Sequence, residues 1–279
     1  MTSATQVPTI PLRDDVAIPQ FGLGVWEIPA GDTTEVVTRA LQGGYRHIDT
    51  AKVYGNEAQV GAAFRASGLE RDEVFITTKC WNDDQGFDKT KRALKDSLGR
   101  LELPYVDLYL IHWPAPSQDR YVDTWKAFIE LQQEGLTRSI GVSNFQPDHL
   151  HRLIEETGVT PAINQIELHP RLQQAGLRRE HEDLGIITEA WSPLGKGRSF
   201  QDETIQAIAQ DHRKTPAQVI LRWHVQLGNV VFPRSVRPER LEENIDVFDF
   251  HLSEREMDAI AALDAGERTG PDPDVFVRP

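Results

Sequence analysis

Eight short apolar runs alternate with amphipathic stretches along almost the whole chain, and that rhythm restricts the folds open to it. The runs at 22–26, 46–49, 74–79, 106–112, 139–144, 162–167, 186–191 and 230–233 have the length of buried strands. Apolar residues at helical spacing predict helices near 33–43, 57–67, 89–100, 121–134, 147–157, 176–184 and 217–226. A further helix at 203–211 is expected inside the last long connection, and helices at 240–247 and 254–263 follow the last strand. Strand–helix alternation implies an α/β protein with parallel strands joined by helical crossovers. Eight repeats favour a closed (β/α)8 TIM barrel over an open doubly wound sheet. The open sheet usually carries a Gly-x-Gly-x-x-Gly turn after its first strand. Gly22-Leu23-Gly24 is the nearest approach to it, but it lacks the third glycine and no helix follows directly. Ahead of the first strand, 9–12 and 16–18 flank the turn 13–15 and predict an N-terminal β-hairpin. The tail from Gly266 onward is rich in glycine and proline and reads as a loop. No linker, low-complexity tract or Walker-type loop divides the chain, so residues 1–279 are expected to form one barrel domain.

The 279 residues carry a net charge of −13, with a pI near 5.1. Such a surface repels nucleic acid and anionic membrane, so an anionic ligand needs a local basic pocket. Cys80 is the single cysteine, which excludes an intrachain disulfide and fits a reducing compartment. The first eight residues show no basic segment leading into an apolar one, and no apolar run is long enough to span a bilayer. A cytoplasmic location is therefore expected.

The chemistry-bearing residues gather at predicted strand tips. Asp49 ends one strand and Tyr54 follows in the loop, while Lys79 and His112 end two later strands. Side chains alternate across a strand, so Asp49 shares a face with His47, Lys79 with Thr77, and His112 with Leu110 and Leu108. In a barrel the C-terminal rim is where chemistry sits. A tyrosine with an ordinary pKa of about 10 is a poor acid near neutrality, and a nearby ammonium lowers that value. Lys79 is expected to acidify Tyr54, Asp49 to hold Lys79, and His112 to orient a carbonyl. Singly, each has an ordinary reading as a packing tyrosine, a snorkelling lysine or a core histidine. Together they can protonate an alkoxide as it forms. No side chain supplies a hydride, so a cofactor must. The arginines Arg234, Arg237 and Arg240 lie close together in an acidic chain, and their forks suit phosphate oxygens.

These stretches resemble the aldo-keto reductase superfamily. The resemblance rests on Gly44-Tyr-Arg-His-Ile-Asp-Thr-Ala51 with Tyr54-Gly-Asn-Glu57, on Val106-Asp-Leu-Tyr-Leu-Ile-His-Trp-Pro114, and on Ile140-Gly-Val-Ser-Asn-Phe145. Asn164-Gln-Ile-Glu-Leu-His-Pro170 and Ser192-Pro-Leu-Gly195 extend it over nearly the whole chain, most closely to the prokaryotic 2,5-diketo-D-gluconate reductase type. The resemblance implies a barrel that binds NADPH without a Rossmann domain, with the C-terminal loop over the active-site rim, acting as a monomer on small carbonyl compounds. Tyr54 would be the general acid, supported by Asp49, Lys79 and His112. Ser143, Asn144 and Gln165 would hold the nicotinamide carboxamide. Trp191, where many relatives carry tyrosine, would stack on its ring. Ser192, Leu194 and Gly195 would line the pyrophosphate. Arg234, Ser235, Val236, Arg237 and Arg240 would bind the 2′-phosphate, with Glu243 and Asn244 near the adenine. Trp26, Trp81, Asn82, Trp113 and His112 would line the substrate pocket. The tail is short for the family, which implies an open pocket. No metal site is expected: His149 and His151 lie two apart on a predicted helix and face apart, and His169 and His181 lack cysteine partners. Cys80 should be an inert buried thiol. Two other functions remain open: an NADPH-binding regulatory or sensor protein with little turnover, and an aldolase using Lys79 as a Schiff base.

Overall fold

The computed structural model describes residues 7–278; residues 1–6, on which the expectation of no signal segment falls, and Pro279 lie outside the described residues. Strands β1 (Thr9–Pro11) and β2 (Ala17–Pro19) form the expected antiparallel hairpin, with Ile10 opposite Ile18. The alternation then runs β3 (Leu23–Gly24), α1 (Ala30–Gln42), β4 (His47–Asp49), α2 (Glu57–Ser67), β5 (Phe75–Cys80), α3 (Phe87–Leu101), β6 (Val106–Ile111) and α4 (Tyr121–Gln133). It continues through β7 (Thr137–Ser143), α5 (Pro147–Thr157), β8 (Ile163–Glu167), α6 (Ala175–Leu184), β9 (Ile187–Trp191), α7 (Glu203–His212), α8 (Pro216–Gln226) and β10 (Val230–Val231). Helices α9 (Pro238–Ile245) and α10 (Glu254–Ala261) complete it.

Strands β3 to β10 pair in parallel in chain order. The ring closes where Phe21 bridges Val231: Gly22 N donates to Val231 O at 2.8 Å, and Val231 N donates to Gln20 O at 2.9 Å. A Cβ on Gly24 would lie 2.8 Å from Phe232 O, so this seam needs a glycine. The result is the (β/α)8 barrel that the alternation predicts. Helix starts are encoded locally. Before α8, Thr215 Oγ1 accepts from Gln218 N and the Gln218 side chain accepts from Thr215 N, with Pro216 at the first helical position.

An inner apolar cluster joins Leu12, Val16 and Ile18 of the hairpin region to Phe75, Leu108, Leu110, Ile163 and Val230. Phe75, Ile163 and Val230 open their strands, so the hairpin plugs the N-terminal end of the barrel. Burying each of those three hairpin side chains contributes about 1.5–3 kcal/mol. Asp14 Oδ2 pins the turn by accepting from Ser139 Oγ at 2.9 Å and Gln132 Nε2 at 2.8 Å. With one end plugged, the C-terminal end is left for a site.

Several strand ends differ from expectation. β3 stops at Gly24, because the chain turns at Val25–Glu27, where Glu27 has φ 56°. His112 and Asn144 each lie one residue beyond their strands, and Lys79 is penultimate in β5 rather than last. Asn144 sits at φ 64°, a left-handed conformation that asparagine tolerates better than most residues. β7 begins at Thr137, and β10 ends at Val231, ahead of Pro233, which has no ladder N–H.

Candidate active site

At the C-terminal rim, Lys79 Nζ donates to Asp49 Oδ1 at 2.6 Å, to Thr50 O at 3.0 Å and to the Tyr54 hydroxyl at 3.4 Å. Tyr54 ends a short 3-10 turn, Lys52–Tyr54, rather than lying in an irregular loop. The residues after it hold it there. Gly55 takes φ 69° and reverses the chain. Buried Asn56 then donates through Nδ2 to Val25 O at 3.0 Å and accepts from Thr50 Oγ1 at 2.8 Å, tying together the loops that follow β3 and β4. Glu57 accepts from Thr78 Oγ1 at 2.6 Å and from Arg100 Nε at 2.7 Å. The Tyr-Gly-Asn-Glu stretch is thus a staple with the tyrosine at its tip. The His112 ring lies edge-on to Tyr54, centroids 5.7 Å apart, and to Trp81 at 5.1 Å.

Burial dominates the electrostatics. It works against the Lys79 ammonium, but Asp49 and Tyr54 beside it outweigh that and raise its pKa. Burial pushes Tyr54 up to about 12, although Lys79 pulls the other way. Lys79 acts on the phenol in the expected direction, but dehydration exceeds its pull, and Tyr54 holds its proton near neutrality. Burial, then the Lys79 charge, holds His112 well below the usual imidazole range, so its ring is neutral. Burial raises Asp49 and takes Glu189 up to about 8.

Around this centre, Asn144 Nδ2 donates to His112 O at 3.0 Å, and Asn144 Oδ1 accepts from Trp191 Nε1 at 2.8 Å. Ser143 Oγ donates to Gln165 O at 2.8 Å. Gln165 Nε2 donates to Asp49 Oδ2 and to Glu189 Oε2, both at 2.9 Å. Beyond Trp191 the backbone turns through Ser192 at φ 49° and Gly195 at φ 54°, with Leu194 between them. A Cβ on Gly195 would lie 3.1 Å from the His169 ring. Further along, Arg234 pairs with Glu27 at 3.0 Å. Arg237 and Arg240 are exposed, and no carboxylate among the described residues pairs with them. Ser235 is buried and its Oγ accepts from Arg237 N at 3.2 Å, while Val236 is exposed. Glu243 Oε1 accepts from Thr215 Oγ1 at 2.6 Å, and Asn244 is buried on the same helix.

The expectation of an open pocket does not hold. The tail crosses the rim and is fastened there. Glu167 accepts from Thr269 N at 2.7 Å and Gly270 N at 3.0 Å, and Asn82 Nδ2 donates to Arg278 O at 2.9 Å. Phe276 lies 4.4 Å from the Trp113 ring and 6.4 Å from Trp81, while Trp113 meets Trp191 at 6.5 Å. The amide nitrogen of Asn82 is thus taken by the tail, though its Oδ1 has no partner among the described residues. Trp26 is exposed and makes none of these ring contacts. Sequence reasoning missed Phe276, Thr269 and Glu189. The first two are placed by long-range docking, whereas Glu189 carried a signal, an acid in the middle of a buried strand.

The remaining candidates have structural partners. Cys80 is buried near Thr90 of α3, and burial takes its thiol up to about 12. His149 Nδ1 accepts from Gln146 N at 3.1 Å, while His151 meets Glu180 at 2.7 Å. His169 meets Glu167 at 3.1 Å, and His181 lies 2.9 Å from both Asn164 and Thr188.

Residues 19–265 match the aldo/keto reductase family. The chain belongs to that family. It is similar to an aldo-keto reductase of Mycolicibacterium smegmatis, 57% identical over 96% of this chain and 98% of that one. It is also similar to the methylglyoxal reductase DkgA of Escherichia coli, 52% identical over 96% and 97% of the two chains. Among solved structures, a variant of Gox0644 in complex with NADPH superposes with a TM-score of 0.94 at 50% identity, over 98% of this chain and all of that one. As a member of the family, the protein is an oxidoreductase of carbonyl compounds.

Proposed function

We propose that this protein reduces aldehydes, ketones and dicarbonyls to alcohols with NADPH, and that Tyr54 supplies the proton. The reading rests above all on one arrangement: the Tyr54 hydroxyl 3.4 Å from a lysine that Asp49 holds at 2.6 Å, with a neutral histidine ring alongside. A general acid must carry its proton until the transition state, and a buried phenol with a pKa near 12 does so. Lys79 then favours the phenolate as the proton leaves, because an ammonium in a dry site stabilises the new negative charge strongly. Asp49 keeps that ammonium charged and in place. Neutral His112 can donate a hydrogen bond to a carbonyl oxygen without adding a charge.

The residues present fit a phosphorylated dinucleotide. Arg237 and Arg240 are two exposed cations with no acid partner among the described residues, in a chain of net charge −13. Trp191 offers a flat ring fixed through its Nε1, and Ser143, Asn144 and Gln165 supply amide and hydroxyl groups beside it. Bound NADPH supplies the hydride. Arg234, Ser235, Val236, Arg237 and Arg240 would hold its 2′-phosphate end, with Glu243 and Asn244 alongside, and Ser192, Leu194 and Gly195 would line the pyrophosphate. Trp81, Trp113 and Phe276 shape an aromatic pocket suited to small dicarbonyls, which agrees with the substrate named for the DkgA relative.

The test is a panel of methylglyoxal, phenylglyoxal and a keto sugar acid, each with NADPH and with NADH, followed by loss of the reduced-nicotinamide absorbance. NADPH oxidation with a dicarbonyl is expected. Tight NADPH binding with no turnover across the panel would mean a sensor rather than a reductase.

A further inference from the structure

Glu189 is a buried acid that the proton chemistry does not use. It lies mid-strand in β9, fully buried, in register with Gln165 of β8. Register partners on neighbouring strands project to one face, so both side chains enter the barrel interior. Gln165 Nε2 donates to Glu189 Oε2 at 2.9 Å and to Asp49 Oδ2, on β4, also at 2.9 Å. An amide nitrogen carries two hydrogens, so each carboxyl takes one and none remains. Two carboxyls at one end of an amide also settle which end is nitrogen. The other ionisable groups around Glu189 are Lys79, held by Asp49, Tyr54, whose pKa the Glu189 charge raises slightly, and His47, whose Nε2 is 3.7 Å from Glu189 Oε1. Burial, and after it the Asp49 charge, raises Glu189 to about 8, so near pH 7 the carboxyl is mostly protonated. Its carbonyl oxygen still accepts the amide hydrogen, and no second negative charge stands beside Asp49.

We propose that Glu189 is a positioning residue: together with Asp49 it grips the Gln165 amide at two points, so that only the amide oxygen is offered to the nicotinamide carboxamide. This rests on the NADPH reading above. An amide held by one acceptor can swing about it. Held by acceptors on two different strands it cannot, and the nicotinamide amide then meets a preset acceptor.

The test separates the nicotinamide end from the rest of the cofactor. Dissociation constants would be measured by quenching of tryptophan fluorescence for NADPH and for 2′-phospho-ADP-ribose, which lacks nicotinamide. Glu189→Leu is expected to weaken NADPH about tenfold, the size of one hydrogen bond's worth of ordering, and to leave the fragment unchanged. Glu189→Gln, whose amide oxygen can accept the same bond, should recover most of the loss. In a Gln165→Ala background, Glu189→Leu should add nothing further. Equal weakening of both compounds, or of neither, would overturn the positioning role while wild-type binding still supports the cofactor reading. Wild-type protein that bound neither compound would overturn that reading and the proposal with it. If Glu189→Leu does not fold, Glu189→Ser replaces it with the same expectations.

Discussion

Lys79→Met separates what the Asp49–Lys79 pair does for the fold from what it does for chemistry. Both side chains are out of contact with water. Removing the lysine strands a carboxylate in the barrel interior, and breaking such a pair typically costs about 3–5 kcal/mol. A second route to the number agrees. The stranded Asp49 escapes by taking a proton, at about 1.4 kcal/mol for each of the roughly three pH units between pH 7 and an ordinary aspartate, or about 4 kcal/mol. That loss lowers Tm by on the order of 10 °C for a chain of this size. The sign follows. In the variant the folded-state pKa of Asp49 lies above its unfolded value, so the penalty grows with pH and shrinks by about 1.4 kcal/mol per unit as pH falls from 7 to 5. Asp49→Asn should destabilise by a similar amount, since it leaves a buried ammonium. The double variant Asp49→Asn with Lys79→Met should be far less unstable than the two losses added together, yet it should remain as inactive as either single variant. Urea unfolding followed by tryptophan fluorescence at several pH values measures the stabilities, and NADPH oxidation with a dicarbonyl measures the activity. Additive losses in the double variant, or a Lys79→Met penalty independent of pH, would mean that Asp49 and Lys79 do not act as a coupled buried pair.

Other expectations follow from particular groups. Arg237→Ala and Arg240→Ala each remove a charge-assisted phosphate contact and should raise KM for NADPH by about tenfold or more, with little change for NADH; steady-state kinetics with both cofactors checks this. Burial takes His47 and His224 down to about 3 and His181 to about 4. Their folded values lie below the unfolded 6.5, so the stability they contribute is full above about pH 6.5 and lost as pH falls towards 4 and 3; the urea midpoint against pH should show it. Glu189 has the opposite sign, raised from 4.5 to about 8, so its contribution is lost as pH rises through that range, and Glu189→Gln should flatten the same curve between about pH 4.5 and 8. Phe276→Ala removes the ring packed on Trp113 and should raise KM for small dicarbonyls more than it lowers kcat, measured with methylglyoxal at saturating NADPH.

Much of the scaffold was legible because buried parallel strands are nearly continuous apolar runs. In β5 and β6 every position is buried, and each run stands out between amphipathic helices. The polar strand tips were legible for the same reason: Asp49, Lys79 and His112 interrupt apolar runs at their ends. Three things were not readable. The net pKa of Tyr54 depends on how completely the fold dehydrates it, which no local pattern reports. The seat of Phe276 comes from contacts with Trp81 and Trp113, more than a hundred residues away, and a tail rich in glycine and proline has no periodicity to reveal it. The partner of Glu189 was hidden because its link to Asp49 runs through Gln165, across three strands.

The most direct test of the account is Tyr54→Phe, with turnover and NADPH binding measured on the same protein. With Tyr54 as general acid, kcat should fall by about 10²–10⁴ while the NADPH dissociation constant stays within about twofold, since the phenol acts mainly in the transition state. Retained turnover, or loss of turnover and NADPH binding together, would contradict it.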